Sequence, residues 1–297
     1  MKTNLLSPSY HTRNIDQKYM QIRRLTNQDI PDLLLAINVA FADYIVPFQL
    51  NSEQLDFKMT SEDIQMDYSV GVFEDGKLVA FIMHGVRPID NGYKVYNAGT
   101  GVLPDYRGRG LVGHMYAYIV PFLQAQGVKE MVLEVIESNQ SAIRAYEKEG
   151  FTIKRKLLCF SGTLKESKGN NAALLKPLSS LPWGTLSDFW DITPSWQSDT
   201  RSMQLVPPSI LGAFIADELV GYVLFNTTKR RIYQLAVNPN QRRKGVAQQL
   251  IAAIEQQIPE ESIQINNLDE AAADLKQLLK KQGLQNDINQ LEMTKSI

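Results

Sequence analysis

The sequence predicts a duplicated mixed α/β fold, an α+β arrangement around a mixed sheet, and three observations carry that reading. Tyr106-Arg107-Gly108-Arg109-Gly110-Leu111-Val112 follows an apolar run ending at Val102-Leu103-Pro104, and Gln241-Arg242-Arg243-Lys244-Gly245-Val246-Ala247 follows one ending at Val237-Asn238-Pro239, at an offset of 135 residues. Upstream, Gly71 to Phe81 aligns without gaps on Gly212 to Tyr222 at an offset of 141. Segments of period-two and of helical hydrophobicity alternate in the same order in both halves.

The first half begins after residues 1–19, which lack an apolar stretch and read as a leader rather than a signal peptide. Met20 to Leu25 alternates as a strand, and Thr26 with Asp29 forms an acidic variant of the capping box that opens a helix. Ile30, Leu33, Leu34, Ile37 and Phe41 give that helix one apolar face, and Pro47 ends the region. Residues 43–67 hold six acids (Asp43, Glu53, Asp56, Glu62, Asp63, Asp67) against one base, Lys58. Asp75-Gly76 between two apolar runs marks a hairpin. Tyr93 to Leu103 is the next strand, with Gly99 and Gly101 as bulge positions. Leu111, Met115, Tyr118, Ile119 and Phe122 line a helix that Pro121 must kink or shorten. Met131 to Ile136 is a buried strand, Ser138 to Glu149 a helix stopped by Gly150, and Phe151 to Gly162 supplies the closing strands.

Residues 164–182 have a linker's composition and separate a domain at 20–163 from one at 183–297. The second half repeats the order: a hairpin at 212–226, a strand at 231–237, a helix at 244–257, a strand at 262–266, a helix near 269–282, Gly283, and a final strand near 290–296. Its front end, with Trp183, Trp190 and Trp196, does not repeat the first helix of the N-terminal half.

Composition bounds the function. A formal net charge of −1 argues against a protein built to wrap nucleic acid or coat an anionic membrane. The single Cys159 allows no internal disulfide and fits a reducing, cytoplasmic setting. No apolar run reaches membrane-spanning length, and no His/Cys/Asp cluster has metal spacing. The chain is expected to act as a monomer or homodimer, without nucleic acid, membrane or metal.

Each half places an Arg-x-x-Gly turn between a strand and a helix, where unpaired backbone N–H groups and the positive helix end hold a phosphate. With the later helix signals, this resembles the GNAT acetyltransferases. The first half reads Arg107-x-x-Gly110-x-Val112, then Glu134, Asn139, Tyr146 and Gly150-Phe151; the second reads Arg242-x-x-Gly245-x-Ala247, then Asn266-Asn267 and Gly283. The spacing from turn glycine to helix-ending glycine is 40 residues in one half and 38 in the other. Val112 departs from the family's small residue at that place, and is expected to crowd the cofactor.

The resemblance implies a tandem N-acetyltransferase that holds acetyl-CoA between two splayed strands and transfers acetyl to a primary amine, by analogy that of a small molecule. It assigns cofactor contacts to Val102, Arg107, Gly108, Arg109, Gly110, Leu111, Val112 and Asn139, and to Val237, Arg242, Arg243, Lys244, Gly245, Val246 and Ala247. Tyr146 matches the family's acid. Because a lysine-like amine has a reference pKa near 10.4, a base is also required. Glu134 and Glu137 are three apart, so a continuous strand points them to opposite faces; each reads first as a solvent-edge carboxylate, and Glu134 stands with Tyr146 as the catalytic candidates. The acidic segment 43–67 is expected to rim the acceptor pocket and to favour a cation.

Leu279 stands where Tyr146's spacing from the glycine would place an acid, so the first half is expected to be catalytic and the second degenerate. His84 and His114 read as structural and exposed, respectively. Gly108-Arg109-Gly110-Leu111-Val112-Gly113 also spells a dinucleotide-binding G-x-G-x-x-G, but the second copy keeps only the glycine of Arg-x-x-Gly. A non-catalytic CoA-binding or partner-binding protein is the remaining alternative.

Overall fold

The computed structural model of the protein describes residues 20–166 and 172–297. The expected leader, 1–19, lies outside the described residues. The first half runs β1 (Met20–Arg24), α1 (Ile30–Ala40), α2 (Ser52–Ser61), β2 (Val70–Glu74), β3 (Lys77–Ile89), β4 (Gly92–Val102), α3 (Leu111–Ala125), β5 (Val128–Ile136), α4 (Gln140–Lys148) and β6 (Thr152–Thr163). The second continues with β7 (Leu174–Leu178), α5 (Trp183–Leu186), α6 (Thr200–Leu205), β8 (Ser209–Ile215), β9 (Glu218–Asn226), β10 (Arg231–Val237), α7 (Val246–Glu255), β11 (Ser262–Asp269), α8 (Ala273–Lys281) and β12 (Gln285–Ser296).

Local chemistry explains the boundaries. Thr26 and Asp29 cap each other reciprocally ahead of α1, and the Arg23 guanidinium, bonded to Asp29 at 2.6 Å, holds that carboxyl down at about 2. α2, inside the acidic segment where no element was expected, is opened by a capping box between Asn51 and Gln54. Asp75 and Gly76 both take positive φ, 51° and 81°, as a two-residue hairpin requires. α3 runs on through Pro121, and its buried stripe is Leu111, Met115, Tyr116, Ile119 and Leu123. Tyr118, expected on that stripe, is exposed, and Tyr116 takes the inward place beside Met115. The expected linker carries β7, an edge strand paired with β8.

Among the described residues, twelve strands form one sheet in the order β1-β2-β3-β4-β5-β12-β6-β11-β10-β9-β8-β7. Read from either edge the order is the same plan, with one exchange. The last strand of each half crosses over, so that β12 pairs with β5 and β6 pairs with β11. At the centre, Leu157 of β6 lies opposite Gln290 of β12, its own counterpart 133 residues on, and a pseudo-twofold axis passes between them. Neither half therefore completes its sheet without a strand of the other.

The first half buries one core between the sheet and α3, with Val79, Ile82, Met115, Tyr116 and Leu133, and another under α1, with Leu33, Ile37, Phe81 and Tyr96. Trp196 of the second half belongs to the latter core, stacked on Tyr96 at 5.0 Å between ring centres. Arg87 of β3 secures that overlap: it pairs with Asp63 at 2.7 Å and Asp199 at 2.6 Å, and donates to the Ser202 hydroxyl at 2.8 Å. Among the described residues no helix is long and apolar enough to cross a membrane.

Candidate active site

Two wedges open in the sheet. The parallel ladder between β4 and β5 ends at Asn97 opposite Leu133, and the one between β10 and β11 is reduced to Arg231 opposite Gln264. At the mouth of each wedge a helix begins on a left-handed glycine, Gly110 at φ 71° for α3 and Gly245 at φ 86° for α7. Two residues earlier the chain is left-handed again, at Gly108 and at Arg243. A Cβ at Gly108 or Gly110 would meet nothing within 4 Å, so these glycines answer to backbone conformation and leave the space above the turn open. The first-turn N–H groups of Leu111 and Val112, and of Val246 and Ala247, have no intrahelical acceptor and face that space at the positive helix end.

The arginines that open the two motifs are each engaged within the chain. Arg107 donates from Nε to the Val102 carbonyl at 3.2 Å, and its remaining nitrogens hold Asp43 at 2.6 Å and the Ala40 carbonyl at 3.0 Å. Arg242 repeats the pattern on the Val237 carbonyl at 3.0 Å, Asp191 at 2.6 Å and the Phe189 carbonyl at 3.0 Å. Each ties the wedge strand to the segment that crosses in front of it. The side chains nearer the open turn are Arg109, which donates to the Asp105 carbonyl, Arg243, which pairs with Asp274, and Lys244, which donates to Gln241.

Leu103 N–H bonds to Val79 on β3, so strand alternation turns the N–H and carbonyl of Val102 toward β5, where no strand meets them. Arg107 takes the carbonyl and the N–H is left facing the wedge. Asn238 N–H on Val220 puts Val237 in the same situation in the second half.

Behind the first wedge lies a buried polar group that the sequence reading found only in part. Asn97 donates to the Thr100 hydroxyl at 2.8 Å and to Tyr116 at 2.9 Å. Tyr146, on α4, is 9% exposed and packs edge-on against Tyr116 and Phe151. Burial pushes its phenol up to about 12, and hydrogen bonding with Thr100 and Asn97 only partly opposes this. Asn139 caps α4, accepting from Ala142 N–H at 3.2 Å, and its amide reaches the Tyr44 hydroxyl at 3.3 Å. Tyr44 thus spans from the loop after α1 to the start of α4. Asn97, Thr100, Tyr116 and Tyr44 carry no motif and become visible only where the chain folds them together.

Glu134 occupies the other face of β5, and it is not at a solvent edge. Tyr96 donates to its Oε2 at 2.9 Å and Asn267 does so at 2.6 Å, while Oε1 is buried without a partner. Burial pushes this carboxyl up to about 7; the Tyr96 bond and Arg155 oppose the shift, and Glu292 and Glu62 add to it. Glu137 is the ordinary carboxylate of the two, held below the usual range by Lys156 at 2.8 Å. His84 is fully buried, its Nδ1 on the Tyr68 carbonyl at 2.8 Å, and burial brings it down to about 4, so it is neutral at physiological pH. His114 is exposed.

Part of the acidic segment is engaged within the chain. Asp43 is paired with Arg107, Glu62 with Lys58, and Asp63 with Arg87 and Arg201. Half of its six acids are neutralised within the chain.

The second wedge contains a cavity of about 450 Å³ walled by Trp190, Tyr233, Asn267, Leu275 and the Gly245–Ala247 turn. The Ser195 and Ser198 hydroxyls, both on its wall, are buried without partners. Ala272 caps α8 where Asn139 caps α4, and Leu279 replaces Tyr146. This half therefore has room and a turn, but neither the amide nor the phenol.

The sequence matches the acetyltransferase (GNAT) family over residues 36–151 and 175–279. The structure resembles a GCN5-related N-acetyltransferase from Sphaerobacter thermophilus, at 18% identity and a TM-score of 0.70, over 93% of this chain and 95% of that one. It also resembles a putative acetyltransferase from Pyrococcus horikoshii (18% identity, 97% of this chain, 93% of that chain, TM-score 0.65). A tandem GNAT protein from the clavulanic acid biosynthesis pathway matches at 13% identity over 94% of this chain and 98% of its own, with a TM-score of 0.68. At these identities the structural likeness speaks to the fold. No curated protein matches the chain.

Proposed function

The chain belongs to the GNAT family of acetyltransferases, and from that premise we propose that its first half moves the acetyl group of acetyl-CoA onto a primary amine of a small molecule. The observation that carries this reading is the pair of buried titratable groups flanking the first wedge, Tyr146 on one face and Glu134 on the other, which the second half replaces with Leu279 and Asn267.

The chain's own groups fit the cosubstrate. The left-handed turn at Gly108–Gly110 has open space above it, and the first-turn N–H groups of α3 suit a pyrophosphate, with Arg109 at its side. Acetyl-CoA supplies the acetyl group as a thioester: the amine nitrogen bonds to the carbonyl carbon, the carbon–sulfur bond breaks, and the thiolate departs. The Val102 N–H, facing the wedge, donates to the carbonyl oxygen as charge builds there. Glu134, poised at about 7, accepts the proton the amine must lose, directly or through water. Tyr146 donates a hydrogen bond to the leaving sulfur. With its phenol at about 12 and a thiol near 8.5, full transfer of that proton is uphill by about 5 kcal/mol. Its role is to stabilise the thiolate; water protonates it afterwards.

A compact acceptor is favoured by what covers Glu134. Trp196 stacks on Tyr96, the donor to Glu134, and its indole N–H bonds to the Glu62 carbonyl at 3.0 Å, so a segment of the second half lies across the face that an extended peptide would need. The second half is read as binding CoA through Val237, Arg242, Arg243, Lys244, Gly245, Val246 and Ala247 without transferring acetyl.

The experiment is release of free thiol from acetyl-CoA across a panel of small amines, peptide N-termini and lysine peptides. Turnover confined to small primary amines supports the proposal. CoA binding with no release on any amine would replace it with the non-catalytic alternative.

A further inference from the structure

Glu134 of β5 and Asn267 of β11 occupy the same position in the two repeats, 133 residues apart, and their side chains meet. Asn267 Nδ2 donates to Glu134 Oε2 at 2.6 Å. The amide is orientated from both ends: the carboxylate requires a donor, and Asn267 Oδ1 accepts from Gln290 Nε2 at 2.8 Å. Asn267 is 4% exposed and its backbone sits at φ 59°, inside the irregular stretch where β11 slips register against β6 between Ile265 and Leu268. Asparagine is among the few residues that tolerate this conformation, so the chain is bent there around a side chain able to hold it.

The surroundings leave this bond with leverage. Facing Glu134 are Tyr96 from β4, Glu292 from β12, Glu62 from the end of α2, and Arg155 and Cys159 from β6. The cation of this set is already engaged, since Arg155 is bonded to Glu292 at 2.6 Å and to Asp269 at 3.0 Å. Among the described residues, the donors bonded to Glu134 are the Tyr96 hydroxyl and the Asn267 amide. A hydrogen bond to the charged form of a buried carboxyl favours that form.

The geometry points to Asn267 as a positioning residue that the second half supplies to the first half's reaction, holding the Glu134 carboxylate in place and favouring its ionised state. This rests on the reading of Glu134 as the base, and it gives the exchanged strands a chemical consequence: the catalytic half is incomplete without its partner.

The test is the pH dependence of kcat/KM in the full chain, with Glu134→Gln, Asn267→Asp and Asn267→Ala beside the parent. Asn267→Asp keeps the shape and tolerates the backbone, but sets a second carboxyl against Glu134, so the pair loses its protons in two steps with the upper one raised. The acid limb should move upward by at least about one pH unit in Asn267→Asp, and in the same direction by less in Asn267→Ala, with the KM for acetyl-CoA little changed. Should either variant fail to fold, Gln290→Met, which frees the amide to turn, should give an upward shift too. A limb that stays in place in the folded variants while Glu134→Gln abolishes it would overturn the inference. A limb that persists in Glu134→Gln would instead remove Glu134 as the base, and with it the role of Asn267.

Discussion

Tyr146 and Leu279 sit at the same point of α4 and α8, each held by the same backbone lock: Phe151 N–H bonds to the Tyr146 carbonyl at 3.1 Å, and Leu284 N–H bonds to the Leu279 carbonyl at 3.1 Å. Gly150 and Gly283 take the left-handed conformation that this helix ending needs. Duplication has preserved the backbone of the site and changed its chemistry. The phenol of one half is an alkyl group in the other, so the same backbone presents different side-chain chemistry in the two wedges.

The Glu134 carboxyl should make stability depend on pH. Its folded-state value, about 7, lies above the ordinary 4.5, so its contribution is present in full below about 4.5 and is lost as pH rises through about 7. Glu134→Gln, which cannot ionise, should therefore be more stable than the parent at pH 8, by on the order of 3 kcal/mol, and the gap should close toward pH 4.5. Urea midpoints of the two proteins at pH 5 and pH 8 measure this; a gap independent of pH would show that the carboxyl is not strained by burial.

Arg87 should matter to stability more than any surface charge. It is 6% exposed and holds Asp63, Asp199, Ser202 and the Trp196 carbonyl, with its guanidinium 3.9 Å from the Trp196 ring centre. Arg87→Met keeps most of the volume but takes the cation from Asp199 and leaves Asp63 only the exposed Arg201, and should lower the unfolding free energy by about 3–5 kcal/mol. The exposed pair Arg230–Glu261 provides the control: its removal should cost under about 1 kcal/mol. Equal losses for the two would mean that Arg87 does not join the halves.

Two molecules of CoA should bind per chain. The second wedge has its own turn and cavity, and Gly245→Glu puts a bulky anion at the head of α7, at a residue that is left-handed in the fold. Isothermal titration should give a stoichiometry of two for the parent and one for the variant. A stoichiometry of one for the parent would make the second half a scaffold.

Much of this fold is legible in the chain, because hairpins and helix ends are written in local chemistry. Asp75-Gly76, Gly150 and Gly283 declare themselves by the backbone they permit. The exchange of β6 and β12 does not, since a strand's alternation says which face is buried but not which neighbour it pairs with. The contacts of Arg107 are hidden for a related reason: the motif tells where it stands, whereas its partner Asp43 is 64 residues away on a loop with no signal. The pair Glu134 and Glu137 was separable into two faces from spacing alone. Which face lay under Trp196 was not, because that cover comes from the front end of the second half, the part of the chain without a counterpart in the first.

The most direct test of a transferring first half and a binding second half is thiol release from acetyl-CoA, with the best amine of the panel, in Tyr146→Phe and Gly245→Glu. Tyr146→Phe removes one donor to the leaving sulfur and should lower kcat by about 10²-fold with acetyl-CoA affinity unchanged. Gly245→Glu should leave kcat within about twofold of the parent, as the transferring wedge is the other one. Full turnover in Tyr146→Phe together with loss of turnover in Gly245→Glu would reverse the roles of the halves and contradict the account.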